Sequence, residues 1–191
     1  MLAPALRLIC SWALLLVGAA QAADVMVHAS RRGEVLLVEA SAEFDADVRE
    51  TWQVLTDYDH LAEFIPGMRV SRVLARTGNS VLVEQKGEAR LLFFSFPIAV
   101  RLAIDEFPHK QINSRAVAGD FREMVGAYYL EAGDRRIRLR YSGRMTPDFL
   151  VPPLIGTFVL RTHVERQFSA LVDEIVRRHH ALRPAPPHPG S

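Results

Sequence analysis

The stretch VRETWQVLTDYDHLAEFIPGMRVSRVL, residues 48–74, contains two short helical patterns followed by a strand-like one. Val48, Trp52 and Leu55 recur at i, i+4 and i+7, which is the spacing of one face of a helix. A second, shorter pattern ends at Pro66-Gly67, residues that stop a helix. Helices this brief are unstable alone, because nucleation costs more than two turns of hydrogen bonds return. Both helices must therefore pack against a larger body.

The residues on either side of this stretch have the composition of β-strands. The run GEVLLVEASAEF, residues 33–44, predicts a first strand, after which Asp45 or Asp47 can cap the first helix. From residue 68 to residue 145, strand-like runs are separated by turn signals, which lie at 76–80, 106–111, 117–121 and 131–135. This spacing predicts about six further strands in an antiparallel meander.

The end of the chain combines the most regular strand pattern with a long helical one. In RIRLRYSGRM, residues 136–145, arginine or serine alternates with apolar residues or glycine, which predicts one face toward a core and one toward water. Pro152-Pro153 suits the first turn of a helix, which we expect to end near residue 181. The apolar stripe of this helix consists of Leu154, Phe158, Val164, Phe168, Leu171, Val172, Ile175 and Val176.

The first 22 residues have the pattern of a secretory signal peptide. Arg7 precedes an apolar run, and AQA at residues 20–22 resembles a cleavage site. A membrane anchor is the alternative, but a spanning helix needs about 20 apolar residues and this run is shorter. We therefore expect cleavage after Ala22 and a soluble periplasmic or secreted product. It would contain one domain at 23–182 and a disordered Pro-rich tail at 183–191.

Cysteine content and charge exclude several classes of protein. The one cysteine, Cys10, lies in the segment to be removed, so the remaining chain can form neither a disulfide nor a thiolate metal site. Removing residues 1–22 takes away Arg7 and no acid, which leaves 22 basic and 22 acidic residues. A formal charge of zero argues against a nucleic-acid-binding protein, because affinity for phosphates depends on excess positive charge.

The order of predicted elements, together with three runs of sequence, resembles the START-like (SRPBCC) superfamily, and within it the polyketide cyclase and coenzyme Q-binding group. The runs are residues 48–74, GDFREMVGAYYLE at 119–131 and PPLIGTFVLRTHVERQFSALVDEIVRR at 152–178. The resemblance covers residues 34–180. It implies an α+β helix-grip fold, in which a curved antiparallel sheet of about seven strands wraps the long C-terminal helix. It also implies a deep apolar cavity, with the two short helices after strand 1 lying near its mouth.

The resemblance implies a set of ligand-binding residues. Phe64, Ile65 and Pro66 would face both the core and the ligand, and plain packing on Trp52 is the alternative. In the apolar run at 91–104, alternate residues would form a pocket wall, whereas a strand covered on both faces is the other interpretation. The expected ligand-binding residues are Phe64, Ile65, Pro66, Phe94, Phe96, Val100, Leu102, Phe121, Tyr128, Tyr141, Leu154 and Phe158.

An enzyme of this fold would need an acid and a base pointing into the cavity. The candidates by residue type are Glu123, His163, Glu165, Tyr128 and Tyr141. We expect His163 and Glu165 to lie on a solvated helix face. The sequence contains no nucleophile elbow, zinc-protease motif or phosphate loop, and the adjacent His179 and His180 splay apart on a helix. We therefore expect no catalytic residue, metal or cofactor.

The arginines between residues 136 and 144 have two interpretations. The first is an ordinary solvated sheet face. The second is transient attraction to an anionic membrane surface, where each arginine contributes on the order of 1 kcal/mol.

These observations lead to one main functional hypothesis and two alternatives. The main hypothesis is a periplasmic domain that binds a hydrophobic ligand, either a lipid or an isoprenoid quinone, without chemical turnover. The first alternative is a cyclase or dehydratase. The second is an interaction module whose cavity is filled by its own side chains.

Overall fold

The computed structural model describes residues 23–91, 94–133, 136–151 and 153–182, so the expected signal peptide and Pro-rich tail lie outside the described residues. Its strands are β1 (Val25–Arg32), β2 (Val35–Asp45), β3 (Met68–Thr77), β4 (Ser80–Leu91), β5 (Phe94–Phe107), β6 (Gln111–Gly119), β7 (Phe121–Ala132) and β8 (Arg136–Pro147). Its helices are α1 (Val48–Leu55), a 3-10 turn (Tyr58–His60), α2 (Leu61–Phe64) and α3 (Pro153–Leu182).

The eight described strands form one antiparallel sheet in the order β1-β2-β8-β7-β6-β5-β4-β3. The long helix α3 packs mainly against β1, β2 and α1. This arrangement confirms the expected α+β helix-grip fold. Because β3 to β8 follow one another as neighbours, the predicted antiparallel meander is confirmed as well.

The sequence-based strand count was one too low. The missed strand is β1, which pairs with β2 from Val25 opposite Ala42 to Arg32 opposite Val35. Its sequence, VMVHASRR, looked like a polar lead-in because half of its residues are polar and its second half carries two arginines. The two short helices therefore follow the second strand of the fold and not the first.

The short helices close one end of the sheet. The side chain of Asp47 accepts hydrogen bonds from the backbone N–H of Arg49 at 2.7 Å and of Glu50 at 3.4 Å, so Asp47 is the N-cap of α1 and Asp45 is the last residue of β2. Trp52 and Tyr58 are buried in the main hydrophobic core, where they cover this end of the sheet.

The helix α3 runs along the inner side of the sheet. The apolar residues of its second half, Phe168, Leu171, Val172 and Ile175, are all buried. Its first half carries few buried side chains among those described. Of the helices in the described ranges, none combines the length and the apolar character needed to cross a bilayer.

Candidate functional site

The concave face of the sheet is the face that α3 covers, and its exposure changes along the strands. Near α1 its side chains are almost fully buried, as at Leu130, Ile137 and Leu139. Further along β6, β7 and β8 the inward-facing side chains are only half-buried, as at Met124 and Tyr141. An inward-facing side chain that keeps accessible surface must border a space between sheet and helix. The concave face is therefore packed at the α1 end and open further along.

Two tyrosines lie where the packed region meets the open one. Strand register places five inward-facing residues side by side across the sheet, and we call them the tyrosine row: Ala40, Tyr141, Tyr128, Ile112 and Glu106. The rings of Tyr128 and Tyr141 are 4.8 Å apart between centroids. The row therefore places two phenol groups next to each other on the concave face.

Two glycines let the Tyr141 ring lie flat against the sheet. Gly126 on β7 is paired with Gly143 on β8. A β-carbon on Gly143 would lie 2.6 Å from the Tyr141 hydroxyl oxygen, and one on Gly126 would lie 2.8 Å from it. Any other residue at either position would push the ring away from the sheet. Glycine here keeps the space in front of the ring open.

Both phenols are neutral hydrogen-bond donors at ordinary pH. Burial raises the pKa of Tyr141 to about 12, and burial together with the nearby Tyr141 raises the pKa of Tyr128. Neither hydroxyl makes a hydrogen bond within the part of the chain that the structure describes. Neither is sealed from solvent, in contrast to the Tyr58 hydroxyl.

The far end of the tyrosine row carries an ion pair between the buried Glu106 and the partly exposed Arg76. Arg76 Nη1 donates to Glu106 Oε2 at 2.9 Å, and the Arg76 guanidinium lies over the Tyr58 ring, 6.0 Å from its centroid. Glu106 Oε1 and the Tyr58 hydroxyl are both sealed from solvent without a hydrogen bond of good geometry. Burial and the adjacent Glu106 carboxylate raise the pKa of Tyr58. This end of the row is closed.

The sequence profile of a known protein family matches most of the chain. Residues 44–172 match the family described as polyketide cyclase / dehydrase and lipid transport. The chain belongs to this family. The match confirms the resemblance to the polyketide cyclase group of the START-like superfamily. A comparison with curated protein sequences found no match.

Several solved structures resemble this chain. An aromatase/cyclase from Streptomyces sp. R1128 is 18% identical with a TM-score of 0.64, over 75% of this chain and 95% of that one. A START superfamily protein from Mycobacterium smegmatis is 17% identical with a TM-score of 0.63, over 74% and 98%. A STAR-related lipid transfer protein (fragment 25–204) from Xanthomonas axonopodis is 13% identical with a TM-score of 0.64, over 82% and 95%. At these identities the likeness establishes the fold.

In this family member, the residues expected at the cavity mouth lie in three different environments. Phe64 is half-buried, and the Arg178 guanidinium lies over its ring, 5.6 Å from the centroid. Ile65 is buried in the core. Pro66 is exposed, and its carbonyl oxygen accepts a hydrogen bond from Gln167 Nε2 at 3.2 Å. The segment after α2 is thus bonded to the middle of α3.

The other expected ligand-binding residues are only partly brought together. Val100 and Leu102 are buried on the concave face, and Phe121 is half-buried with its ring 6.3 Å from that of Phe149. Phe158 is 65% exposed. The side chains of Phe94, Phe96 and Leu154 lie outside the described part of the structure, although the backbone of the first two belongs to β5 and that of the third to α3. Among the expected ligand-binding residues, Tyr128 and Tyr141 are thus in direct contact with each other.

The acid and base candidates do not converge. Glu123 is exposed and pairs with Arg144 on the convex face, and Glu165 is exposed as expected. The expectation of a solvated His163 was wrong, because this side chain is half-buried and burial lowers its pKa. Its position near Gly67 explains the difference, since the segment after α2 covers that side of α3. His163 is therefore neutral at ordinary pH.

No group of side chains among the described residues has the composition and proximity of a metal site. His179 lies in the core region, where its Nδ1 bonds to a carboxylate oxygen of Glu50 and so ties α3 to α1. His180 is exposed on the same helix. The adjacent histidines thus have separate surroundings, and one of them has a structural role.

The arginines of β8 face acidic residues on the convex side of the sheet. Arg138 bonds to Glu43 and lies 3.7 Å from Glu131, while Arg140 also bonds to Glu131. Arg136 lies 3.7 Å from Asp45. These ion pairs favour the interpretation of the β8 arginines as part of an ordinary solvated sheet face. The same face has a depression of about 540 Å³, lined in part by Arg144, which pairs with Glu123.

The ion pair at the closed end of the tyrosine row was not predicted from the sequence. Glu106 has the same strand parity as Leu102 and Ile104, which could have placed it on the inner face. The break after β5 was instead interpreted as a turn. The partner Arg76 could not be predicted, because it reaches the inner face through an irregularity in the pairing of β3 with β4.

Proposed function

We propose that this protein binds a hydrophobic small molecule between the concave face of the sheet and the first half of α3, without converting it. The observation that carries the proposal is the half-buried, inward-facing surface around Tyr128 and Tyr141. Apolar walls with a few polar groups are typical of small-molecule sites. The paired glycines beneath Tyr141 support the proposal, because they let its ring lie against the sheet and so keep it out of the space between sheet and helix.

The positions of the acidic residues support binding without turnover. Proton transfer needs a carboxylate or imidazole within hydrogen-bond reach of the substrate. Glu106 is the carboxylate that the described structure places on the tyrosine row, and its ion pair with Arg76 keeps it sealed at the closed end. Glu123 and Glu165 lie outside the concave face. A cyclase or dehydratase would have to work with the two phenols and the neutral His163.

The comparisons support a lipid-like ligand. The description of the family joins cyclases with lipid transport, and the similar protein from Xanthomonas axonopodis is called a lipid transfer protein. A membrane lipid or an isoprenoid quinone fits a long apolar space. We propose, from the pattern of residues 1–22, that the protein acts in the periplasm or outside the cell and that it contacts membranes transiently.

The binding test compares two neighbouring substitutions on β7. Gly126→Val adds bulk on the concave face against Tyr141, whereas Ala127→Val adds comparable bulk on the convex face. A fluorescent hydrocarbon such as diphenylhexatriene reports occupancy of the apolar space. We expect the parent and Ala127→Val to bind it, and Gly126→Val to bind it at least about tenfold more weakly because the space is filled. Circular dichroism shows whether each variant is folded.

Two results would contradict the proposal. Equal probe binding by a folded Gly126→Val would place the site elsewhere, and absence of probe binding by the parent would mean a filled core. Native mass spectrometry after gentle purification identifies any lipid that copurifies. Incubation of the protein with that lipid, followed by its recovery, separates binding from catalysis, because a binding protein returns the molecule unchanged.

A further inference from the structure

Among the described residues, the two hydroxyls of the tyrosine row have no hydrogen-bond acceptor. The Tyr141 hydroxyl lies over the Cα atoms of Gly126 and Gly143, which offer it no acceptor side chain. The nearby hydroxyl of Ser114 donates to the carbonyl oxygen of Gly126 at 3.2 Å. A polar group on a partly desolvated surface is costly until it finds a partner. A bound molecule with an acceptor oxygen would supply such a partner.

The charge around the row restricts the chemistry of that partner. Glu106 and Arg76 are bonded to each other at 2.9 Å, so this arginine is not available to an anion. Arg31 lies at the other end of the concave face, where it donates to the carbonyl oxygens of Gly33 and Val151. Strand pairing aligns Arg31 with Leu36, which is four residues or about 13 Å along β2 from the tyrosine row. A carboxylate or phosphate at the row would therefore be desolvated without a counter-charge.

We propose that the ligand is an uncharged amphiphile that binds with its polar end inward, and that an acceptor oxygen at that end, such as a ketone or ester carbonyl, takes hydrogen bonds from the Tyr128 and Tyr141 hydroxyls. This inference rests on the proposed binding function and adds the chemical class and the orientation of the ligand. The apolar chain of the ligand would extend from the row toward the open part of the concave face. Half-buried apolar side chains such as Met124 and Phe121 lie along that path.

The experiment measures displacement of diphenylhexatriene by a long-chain methyl ketone and by the fatty acid of the same chain length. We expect the ketone to displace the hydrocarbon at the lower concentration. Tyr128→Phe and Tyr141→Phe should each weaken ketone binding about two- to tenfold, the effect of losing one hydrogen bond, while binding of the hydrocarbon stays unchanged. Tyr58→Phe is the matched control, because its hydroxyl is sealed at the closed end and should not affect either ligand.

The outcomes separate this inference from the proposed function. If the hydrocarbon binds but the two Phe variants bind the ketone as the parent does, the tyrosines are not the recognition groups and the inference is wrong. If the fatty acid binds more tightly and Arg31→Gln weakens it, the ligand is an anion held at the open end. If neither the hydrocarbon nor the ketone binds, the binding function fails together with the inference.

Discussion

Trp52 and Phe64 belong to neighbouring short helices but differ in burial, so they separate packing from ligand contact. Trp52 is buried at the closed end with its ring 5.6 Å from that of His109. Phe64 is half-buried under Arg178. We expect Trp52→Ala to lower the free energy of unfolding by about 3 to 5 kcal/mol and Phe64→Ala to lower it by clearly less, because less packed surface is lost.

Chemical denaturation of both variants checks this prediction. Gln53→Ala, an exposed position on α1, controls for the substitution itself. Equal destabilisation by Trp52→Ala and Phe64→Ala would show that Phe64 is as tightly packed as the closed end. In that case the segment around it would be a core element and not a part of the ligand site.

At the scale of single residues, the sequence predicted on which face of the sheet a side chain lies better than it predicted which residues that side chain contacts. The strict alternation from Arg136 to Met145 placed Tyr141 on the inner face correctly. That Tyr128 lies against it depends on the register between β7 and β8, which alternation along one strand does not determine. Nor did the sequence indicate that Gly143 lies beneath the Tyr141 ring, because this contact depends on how the ring lies along its own strand.

At the scale of elements, a cluster of charges fastens α3 to the turn before α2. Arg178 bonds to Glu174 at 2.7 Å and to Asp57 at 2.9 Å, so one arginine joins the helix to the closed end. Hydrogen bonds from Arg177, and then from Arg178, lower the pKa of Glu174 to about 2, although burial opposes this shift. The Glu174 side chain is only 10% exposed, so solvent screens these pairs less than it screens pairs on the open surface.

This cluster predicts a loss of stability in acid. A carboxyl group whose pKa is lower in the folded state than the ordinary 4.5 stabilises the fold above that pH and loses its contribution as the pH falls toward about 2. We expect Glu174→Gln to be less stable than the parent at pH 7 and to lose less stability on acidification. Denaturant midpoints at neutral pH and near pH 3 measure both effects, since pH 3 lies within that window.

Glu165→Gln, on the exposed side of α3, is the matched control for the acid experiment. Its stability should follow that of the parent at every pH. Parallel curves for Glu174→Gln and the parent would show that acid sensitivity arises from other carboxylates.

Elements with long regular patterns were predicted well, and short irregular ones less well. The end of α3 agrees with the expected position near residue 181, and Asp47, one of the two expected caps, is the N-cap of α1, because each feature depends on local chemistry. The strand β1 was missed because its second half is polar on both faces, and the uncovered side of an edge strand does not require a hydrophobic pattern. Burial by a distant helix is not visible in a local window of sequence.

At the scale of the whole molecule, the convex face is close to electrically balanced. Arg136, Arg138 and Arg140 face Glu43, Asp45 and Glu131. We expect replacement of the three arginines with glutamine to leave the melting temperature nearly unchanged, because exposed ion pairs contribute little. Since the acids already neutralise these arginines, we also expect the parent and a charge-balanced variant, in which the three arginines and the three acids are all replaced by Gln or Asn, to cosediment equally with anionic vesicles at low salt.

Vesicle cosedimentation with anionic and with neutral lipid checks this prediction. A loss confined to the charge-balanced variant and to anionic vesicles would show that the arginine row contacts lipid in spite of its acidic partners. Equal behaviour would direct the search for the proposed membrane contact to other surfaces. Exposed apolar side chains such as Leu150, which is 90% exposed, and Phe158 lie on or just before the first half of α3.

The packing of β1 against α3 affects how the chain can fold. These are the first and the last elements of the described chain, and β1 is an edge strand whose inner residues Val25 and Val27 depend on that packing for cover. Contacts between segments so distant in sequence give a high contact order and form late. The inner face of β1 therefore stays uncovered until the last helix has been synthesised. A chain that lacks α3 would expose the apolar inner face of the sheet, including Val25 and Val27, and would be prone to aggregation.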